Sequence, residues 1–197
     1  MKSVLIVDDD RVILNLLAEG LRDSGYDVSI AVSGEEALKL VDCRDFDLVV
    51  LDMRMPVMSG IELARTFASV GRPPFVFLSA FDDASVVREA ADVGAMGYLI
   101  KPVDVPQLVP FIEASIARAR DIEALRNARG HLEKALTLEQ NTRTAVGIIM
   151  VRKGLDREPA FNYLRTRARS QRRKIGEVAE EFIASLEDNN RILCDEK

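Results

Sequence analysis

Short apolar runs alternate with stretches of helical periodicity through the first hundred residues, and this alternation constrains the fold more than any other feature of the chain. The runs lie at 3–7, 27–31, 47–51, 75–79 and 96–100. Leu48-Val-Val-Leu51 contains no polar residue, as expected of a strand buried on both faces of a parallel sheet. Between the runs, Ile13, Leu16, Leu17 and Leu21 recur at helical spacing, and Gly25 marks a stop. Ser33 with Glu36, and Ser59 with Glu62, have the spacing of capping boxes. A further helix is expected over 83–93, stopped by Gly94, and Asp104 is placed to cap a fifth. Five such units predict a doubly wound α/β fold, a five-stranded parallel sheet with helices on both faces. With right-handed crossovers, the flavodoxin-like order 2-1-3-4-5 sets the first and third strands side by side. Ligands bind such sheets beyond the carboxyl ends of the strands, where the order reverses.

The residues expected at those ends are chemically distinctive. Asp8, Asp9 and Asp10 follow the first run, Asp52 follows the third ahead of a turn containing Pro56 and Gly60, Ser79 closes the fourth and Lys101 follows the fifth. Carboxylates converging on one crevice repel unless a cation neutralises them, and oxygen ligands suit a hard ion such as Mg²⁺. Asp8 and Asp9 can hold that ion. Asp52 can ligate it and present an oxygen to an incoming phosphoryl group, with Ser79 offering a hydroxyl and Lys101 a positive charge. The set suits formation of an acyl phosphate on Asp52, a reaction that needs mainly positioning and charge neutralisation. Each residue alone reads as an ordinary turn, cap or surface side chain. Their joint arrangement, each at a strand end, favours the chemical reading.

The sequence resembles the receiver domain of bacterial two-component response regulators over about residues 1–120. The resemblance rests on Val7-Asp8-Asp9-Asp10, Leu51-Asp52-Met53-Arg54-Met55-Pro56, Leu78-Ser79-Ala80 and Tyr98-Leu-Ile-Lys101-Pro102. It implies that Asp52 accepts phosphate from a sensor histidine kinase. It also implies Mg²⁺ on Asp8, Asp9, Asp52 and the backbone carbonyl of Arg54, with Ser79 and Lys101 on the phosphoryl oxygens. Ser79 and Tyr98 would act as the switch that rearranges the face around the fourth and fifth helices, and the Lys101–Pro102 bond is often cis. The implied protein is a phosphoacceptor and not an enzyme, apart from self-dephosphorylation.

No apolar run reaches the roughly 18 residues needed to span a bilayer, and Met1-Lys2-Ser3 leads directly into the first run. Cys43 and Cys194 lie far apart without metal-ligand spacing and read as free thiols of a cytoplasmic protein. The formal charge of −5 is unevenly spread. Residues 1–104 carry 10 basic and 18 acidic side chains, whereas residues 143–174 carry 10 basic and 2 acidic. An acidic first part and a locally basic last part point to an anionic partner for the latter.

The fifth helix is expected to run on beyond the first domain. Ile122, Leu125, Leu132 and Leu136 fit a heptad seam over 121–138, with Arg129 at the missing position and Gly130 weakening the helix by roughly 1 kcal/mol. The seam reads as a dimeric coiled coil, or as one long helix packed on its own domain. Residues 139–190 predict a small three-helix bundle. Its expected inward faces are Ala145, Ile148, Ile149 and Val151/Arg152, then Phe161, Leu164 and Ala168, then Ile175, Val178, Ala179, Phe182, Ile183 and Leu186. Asp156 is placed to cap the second helix, and residues 191–197 read as a flexible tail. This part holds no P-loop, zinc spacing or catalytic constellation. Arg152, Lys153, Arg165, Arg169, Arg172, Arg173 and Lys174 instead suit phosphate contacts. The third helix turns acidic at Glu180-Glu181, a poor reader of a DNA major groove. RNA loops are read through phosphates and stacked bases, for which Tyr163 is a candidate if exposed. A protein or DNA partner remains the alternative.

The pattern Ala145-Val-Gly147-Ile-Ile-Met150, Lys153-Gly154-Leu155, Pro159-Ala160-Phe161, Leu164-Arg165, Ala168-Arg169, Arg172-Arg173-Lys174 and Val178-Ala179-Glu180 resembles the ANTAR output domain of antitermination regulators. It implies binding to paired RNA hairpins in nascent leader transcripts, which would block a terminator. It also implies a homodimer through the linking coiled coil, promoted by phosphorylation.

Overall fold

The computed structural model describes residues 1–70, 73–80 and 84–194. The chain divides into two compact units, Met1–Glu123 and Ala124–Lys197.

The first unit is a five-stranded parallel sheet of order β2-β1-β3-β4-β5, from β1 (Ser3–Val7), β2 (Asp27–Ala31), β3 (Leu48–Asp52), β4 (Phe75–Ser79) and β5 (Gly97–Ile100). Helices α1 (Arg11–Asp23), α2 (Gly34–Cys43), α3 (Gly60–Val70) and α4 (Ala84–Asp92) connect the strands, and α5 (Val105–Lys153) follows. Alternate strand residues feed two cores. Leu5, Val7, Val49, Leu51, Phe75 and Phe77 pack on one face, and Val4, Ile6, Leu48, Val50, Val76 and Leu78 on the other with Leu108, Ile112 and Ile116 of α5. That double burial explains why β3 and β4 carry apolar residues without alternation.

Local signals fix the helix starts. Asp10 caps α1 by accepting from the Val12 and Ile13 amides. Ser59 and Glu62 form a full capping box, each accepting from the other's amide at 3.3 and 2.9 Å. In α2 the reciprocal bond shifts by one residue, because Glu36 accepts from Val32. Asp104 accepts from the Gln107 amide at the start of α5. Strand β3 is displaced by one residue from the expected 47–51, so Asp52 is its last residue rather than the one after it. Asp47 stays outside the strand and accepts from the Ser3 amide. Asp83, expected to open the fourth helix, lies outside the described residues.

In the second unit, the last turns of α5 pack with α6 (Arg157–Ser170) and α7 (Ile175–Cys194) around Ala145, Val146, Ile149, Ala160, Leu164, Ala168, Val178 and Ala179. Gly176 lets α7 approach α5, since a Cβ there would lie 2.6 Å from Leu138 Cβ. Two expected core positions are corrected. Val151 is 85% exposed, since it stands two residues, about 200° of helix, from buried Ile149. Phe161 is 40% exposed, because the buried stripe of α6 is Ala160, Leu164 and Ala168, spaced by four residues. Asp156 occupies the cap position of α6 but its side chain makes no cap hydrogen bond. Helix α7 reaches Cys194, further than the expected end near Leu186, and the rest of the expected tail lies outside the described residues.

Candidate phosphoacceptor pocket and basic output bundle

The parallel register brings the ends of β1, β3, β4 and β5 to one edge of the sheet. Val7 pairs with Leu51, Asp52 with Leu78, and Ser79 with Ile100. Asp8, Asp52 and Ser79 are buried there, whereas Asp9 is exposed at the mouth. Lys101 Nζ donates to Asp8 Oδ2 at 2.6 Å and to Asp52 Oδ1 at 2.5 Å. The Arg54 amide donates to Asp52 Oδ2 at 2.8 Å, and the Asp10 amide to Asp8 Oδ1 at 2.9 Å. The Lys101–Pro102 peptide bond is cis.

The acidic triplet therefore divides its labour. Asp8 faces Lys101 in the pocket, Asp9 stands at its rim, and Asp10 is spent on capping α1. Carboxylate oxygens of Asp8, Asp9 and Asp52 all lie within 4.8 Å of one another. One buried and one exposed carboxylate flanking Asp52 fit a hard divalent ion, because oxygen donors converge on a site that water can still enter.

Burial pushes the Asp52 carboxyl above its usual range. Lys101 pulls it down, Asp8 pushes it up, and the Arg54 amide pulls it down slightly, leaving a net rise. Burial favours a neutral Lys101 amine, but hydrogen bonds to Asp52 and Asp8 outweigh this and hold the ammonium above its ordinary range. The lysine thus supplies the positive charge that two buried carboxylates require.

Gly60 is a further pocket residue, seen in the sequence only as part of a turn. Its amide donates to the Met53 carbonyl at 3.1 Å, and a Cβ there would lie 2.1 Å from the Asp52 carbonyl oxygen. The start of α3 is pressed against the backbone of the acceptor residue. Tyr98, the other switch candidate, is partly buried on β5.

In the second unit Leu125, Leu132 and Leu136 are 70%, 62% and 57% exposed, while Ile122, in the first unit, is partly buried. Arg152, Lys153, Arg165, Arg169, Arg172, Arg173 and Lys174 are all exposed. Arg173 differs from the rest: it is held by Glu181 and lies 4.0 Å from Glu177. Its charge is therefore partly neutralised within the bundle. Arg172 adopts a left-handed backbone conformation (φ 53°) at the turn between α6 and α7. A groove of about 690 Å³ between α5 and α6 includes Val146, Met150 and Phe161, with Glu139, Arg143, Arg157 and Glu158 balancing in charge.

Comparison with known proteins agrees with both halves. The response regulator receiver domain family matches residues 4–113, and the ANTAR domain family matches residues 130–183. The chain belongs to the response regulators. It is 36% identical over 186 residues to the transcriptional regulatory protein PdtaR of Mycobacterium tuberculosis, covering 94% of this chain and 91% of that protein. Its fold is similar to that of the chemotaxis protein CheY4 of Vibrio cholerae, with a TM-score of 0.55 and 32% identity over 57% of this chain and 97% of that one. A CheY-like receiver domain from Methanospirillum hungatei gives 0.58 and 28%, over 61% and 98%. This response regulator is a phosphorylation-regulated protein with an RNA-binding, antiterminating ANTAR output, and its receiver implies a histidine kinase as partner. Among the described residues, no helix is long and apolar enough to cross a membrane.

Proposed function

We propose that this response regulator takes phosphate on Asp52 and, once phosphorylated, pairs with a second copy to grip two hairpins of a nascent leader RNA in the cytoplasm. The observation that carries this reading is the Lys101 bridge between two buried carboxylates, beside a third carboxylate open to water, in a chain whose other unit exposes a basic bundle.

The two oxygens of Asp52 are not equivalent. Oδ2 accepts from a backbone amide, which is fixed; Oδ1 accepts from a lysine side chain, which can swing away. Oδ1 is therefore the nucleophile. Its electron pair forms the new O–P bond while the P–N bond of the donor phosphohistidine breaks, returning the electron pair to the imidazole. Lys101 releases Oδ1 as that bond forms and moves its ammonium to a phosphoryl oxygen, with the Ser79 hydroxyl on another. Asp8, Asp9, Asp52 and the Arg54 carbonyl would hold Mg²⁺, which when bound neutralises charge on the phosphoryl oxygens. Water attack on the same phosphorus accounts for self-dephosphorylation.

Displacing Lys101 and Ser79 alters the ends of β4 and β5, and Tyr98 on β5 carries that change outward. The readout is pairing through Ile122, Leu125, Leu132 and Leu136 in a linker over 121–138. The three leucines among them stand more than half exposed in the single chain, as expected of a surface that a partner covers. Pairing brings two bundles to one transcript, and effective concentration then raises the affinity for a double hairpin. Arg152, Lys153, Arg165, Arg169, Arg172, Arg173 and Lys174 supply the phosphate contacts, Arg173 by exchanging its partner Glu181 for a phosphate.

The acceptor is tested by phosphate incorporation: Asp52→Asn should take up no label from an acyl-phosphate donor, and label persisting on another residue contradicts the assignment. The output is tested by salt. With about five phosphate contacts on base-paired RNA, log affinity should fall with log salt at a slope of roughly −4, and a flat profile points instead to a protein partner.

A further inference from the structure

Lys153 ends α5, and its ammonium lies over the ring of Tyr163 on α6, 4.6 Å from the centroid. Tyr163 is 41% exposed, although it belongs to a helix whose other face is core. Among the described residues no carboxylate pairs with Lys153, whereas Arg143 and Arg173 nearby in sequence both find one. Arg167 stands one turn beyond Tyr163 and is exposed, so the two side chains share a helix face. A flat ring half open to solvent, a cation on the ring and a guanidinium one turn away form a surface of the kind that binds unpaired bases. Every base has a π-face that stacks on an aromatic ring, and the flanking cations meet the phosphates on either side. The α5–α6 groove at Phe161 lacks this character, because its two arginines are balanced by two glutamates.

Resting on the RNA reading above, the geometry points to Tyr163, with Lys153 and Arg167 beside it, as a stacking site for one unpaired nucleobase of the bound hairpin loop. Phosphate contacts alone hold any stem. The stacked base makes the grip depend on the loop.

The test uses the full-length chain and a stem-loop RNA recovered with it from a loop-randomised library. Tyr163→Leu should weaken binding by about ten-fold or more, within the range that one base–aromatic stack supplies, and leave the salt slope unchanged. Tyr163→Phe keeps the ring and should bind within about two-fold of the parent. Lys153→Gln should lower the salt slope by about one phosphate contact. Abasic substitutions walked through the loop should reveal one position whose loss weakens the unaltered protein as much as Tyr163→Leu does, and adds little when combined with it. Equal binding by Tyr163→Leu and parent, or additive losses at every loop position, overturns the stacking site while leaving RNA binding intact. Failure of the unaltered chain to bind the stem-loop in a salt-dependent way overturns both. If Tyr163→Leu loses helicity by circular dichroism, the abasic series with the parent and Tyr163→Phe decides: a loss at one position supports the site, and equal binding at all positions overturns it.

Discussion

Adding one methyl group at Gly60 should damage the pocket, whereas the same change at Gly130 should strengthen the molecule. At Gly60 the new Cβ meets the Asp52–Met53 backbone: Asp52 O at 2.1 Å, Asp52 C at 3.0 Å and Met53 Cα at 3.1 Å. None of these is the end of a flexible side chain. The contact must open by about 0.9 Å to reach even the 3.0 Å floor of real Cβ contacts. Overpacking of this kind costs about 1–3 kcal/mol. The two nearest atoms belong to the acceptor residue itself, and a misplacement near 1 Å slows positioned chemistry by on the order of 100-fold. At Gly130, inside α5, nothing lies within 4 Å of the added carbon, so Gly130→Ala gains helix propensity of up to about 1 kcal/mol. Urea titrations followed by far-UV circular dichroism read the stability, and uptake of label from acetyl phosphate reads the chemistry. Gly60→Ala should show a lower midpoint and uptake slowed by roughly 10- to 100-fold. Gly130→Ala should show a midpoint at or above the parent's and unchanged uptake. A Gly60→Ala protein with parental midpoint and uptake would refute the claimed pressure of α3 on the Asp52 backbone.

Three further perturbations follow from the charges. Burial raises the Asp52 carboxyl, so its ionised form costs stability as pH climbs through the interval between its unfolded and folded values. Asp52→Asn should therefore raise the urea midpoint at neutral pH and remove that loss; a lower midpoint at pH 7 contradicts it. Lys101→Met strands two buried carboxylates and should cost about 3–5 kcal/mol, part of which millimolar Mg²⁺ restores; a midpoint insensitive to Mg²⁺ counts against the cation site. Glu113 is held below the ordinary carboxylate range first by its hydrogen bond from Lys2, then by that from Tyr26. Its stabilising contribution is present above its unfolded pKa and is lost as pH falls through the folded one. Glu113→Gln should flatten the acid limb of stability against pH, and an unchanged limb removes that role.

The receiver unit was readable because each of its signals is local and reinforced by the next. Apolar runs without alternation mark strands buried on both faces, and the order of connections brings Asp8, Asp52, Ser79 and Lys101 to one edge without any knowledge of side-chain contacts. What escaped the sequence depends on distances between segments. Gly60 reads as a turn residue until Asp52 O is seen against it. Asp10 reads only as the third member of an acidic run until its side chain is seen capping α1. In the bundle, a bulky Phe161 drew the expected core face toward itself. The helix instead buries a stripe of small residues and one leucine, because Ala160 and Ala168 allow closer packing. The basic cluster was visible as composition, but only the fold separates Arg173, held by Glu181, from Lys153, which rests on a ring.

The most direct measurement is sedimentation of the full-length chain with a labelled double-hairpin RNA, before and after treatment with acetyl phosphate and Mg²⁺. Phosphorylation should move the protein from one copy to two per RNA and tighten binding by about ten-fold or more, as linkage of two sites allows. Asp52→Asn should not respond, and Leu125→Lys with Leu132→Lys should accept phosphate yet remain single. A phosphorylated protein whose stoichiometry and affinity match those of the untreated chain would contradict the account.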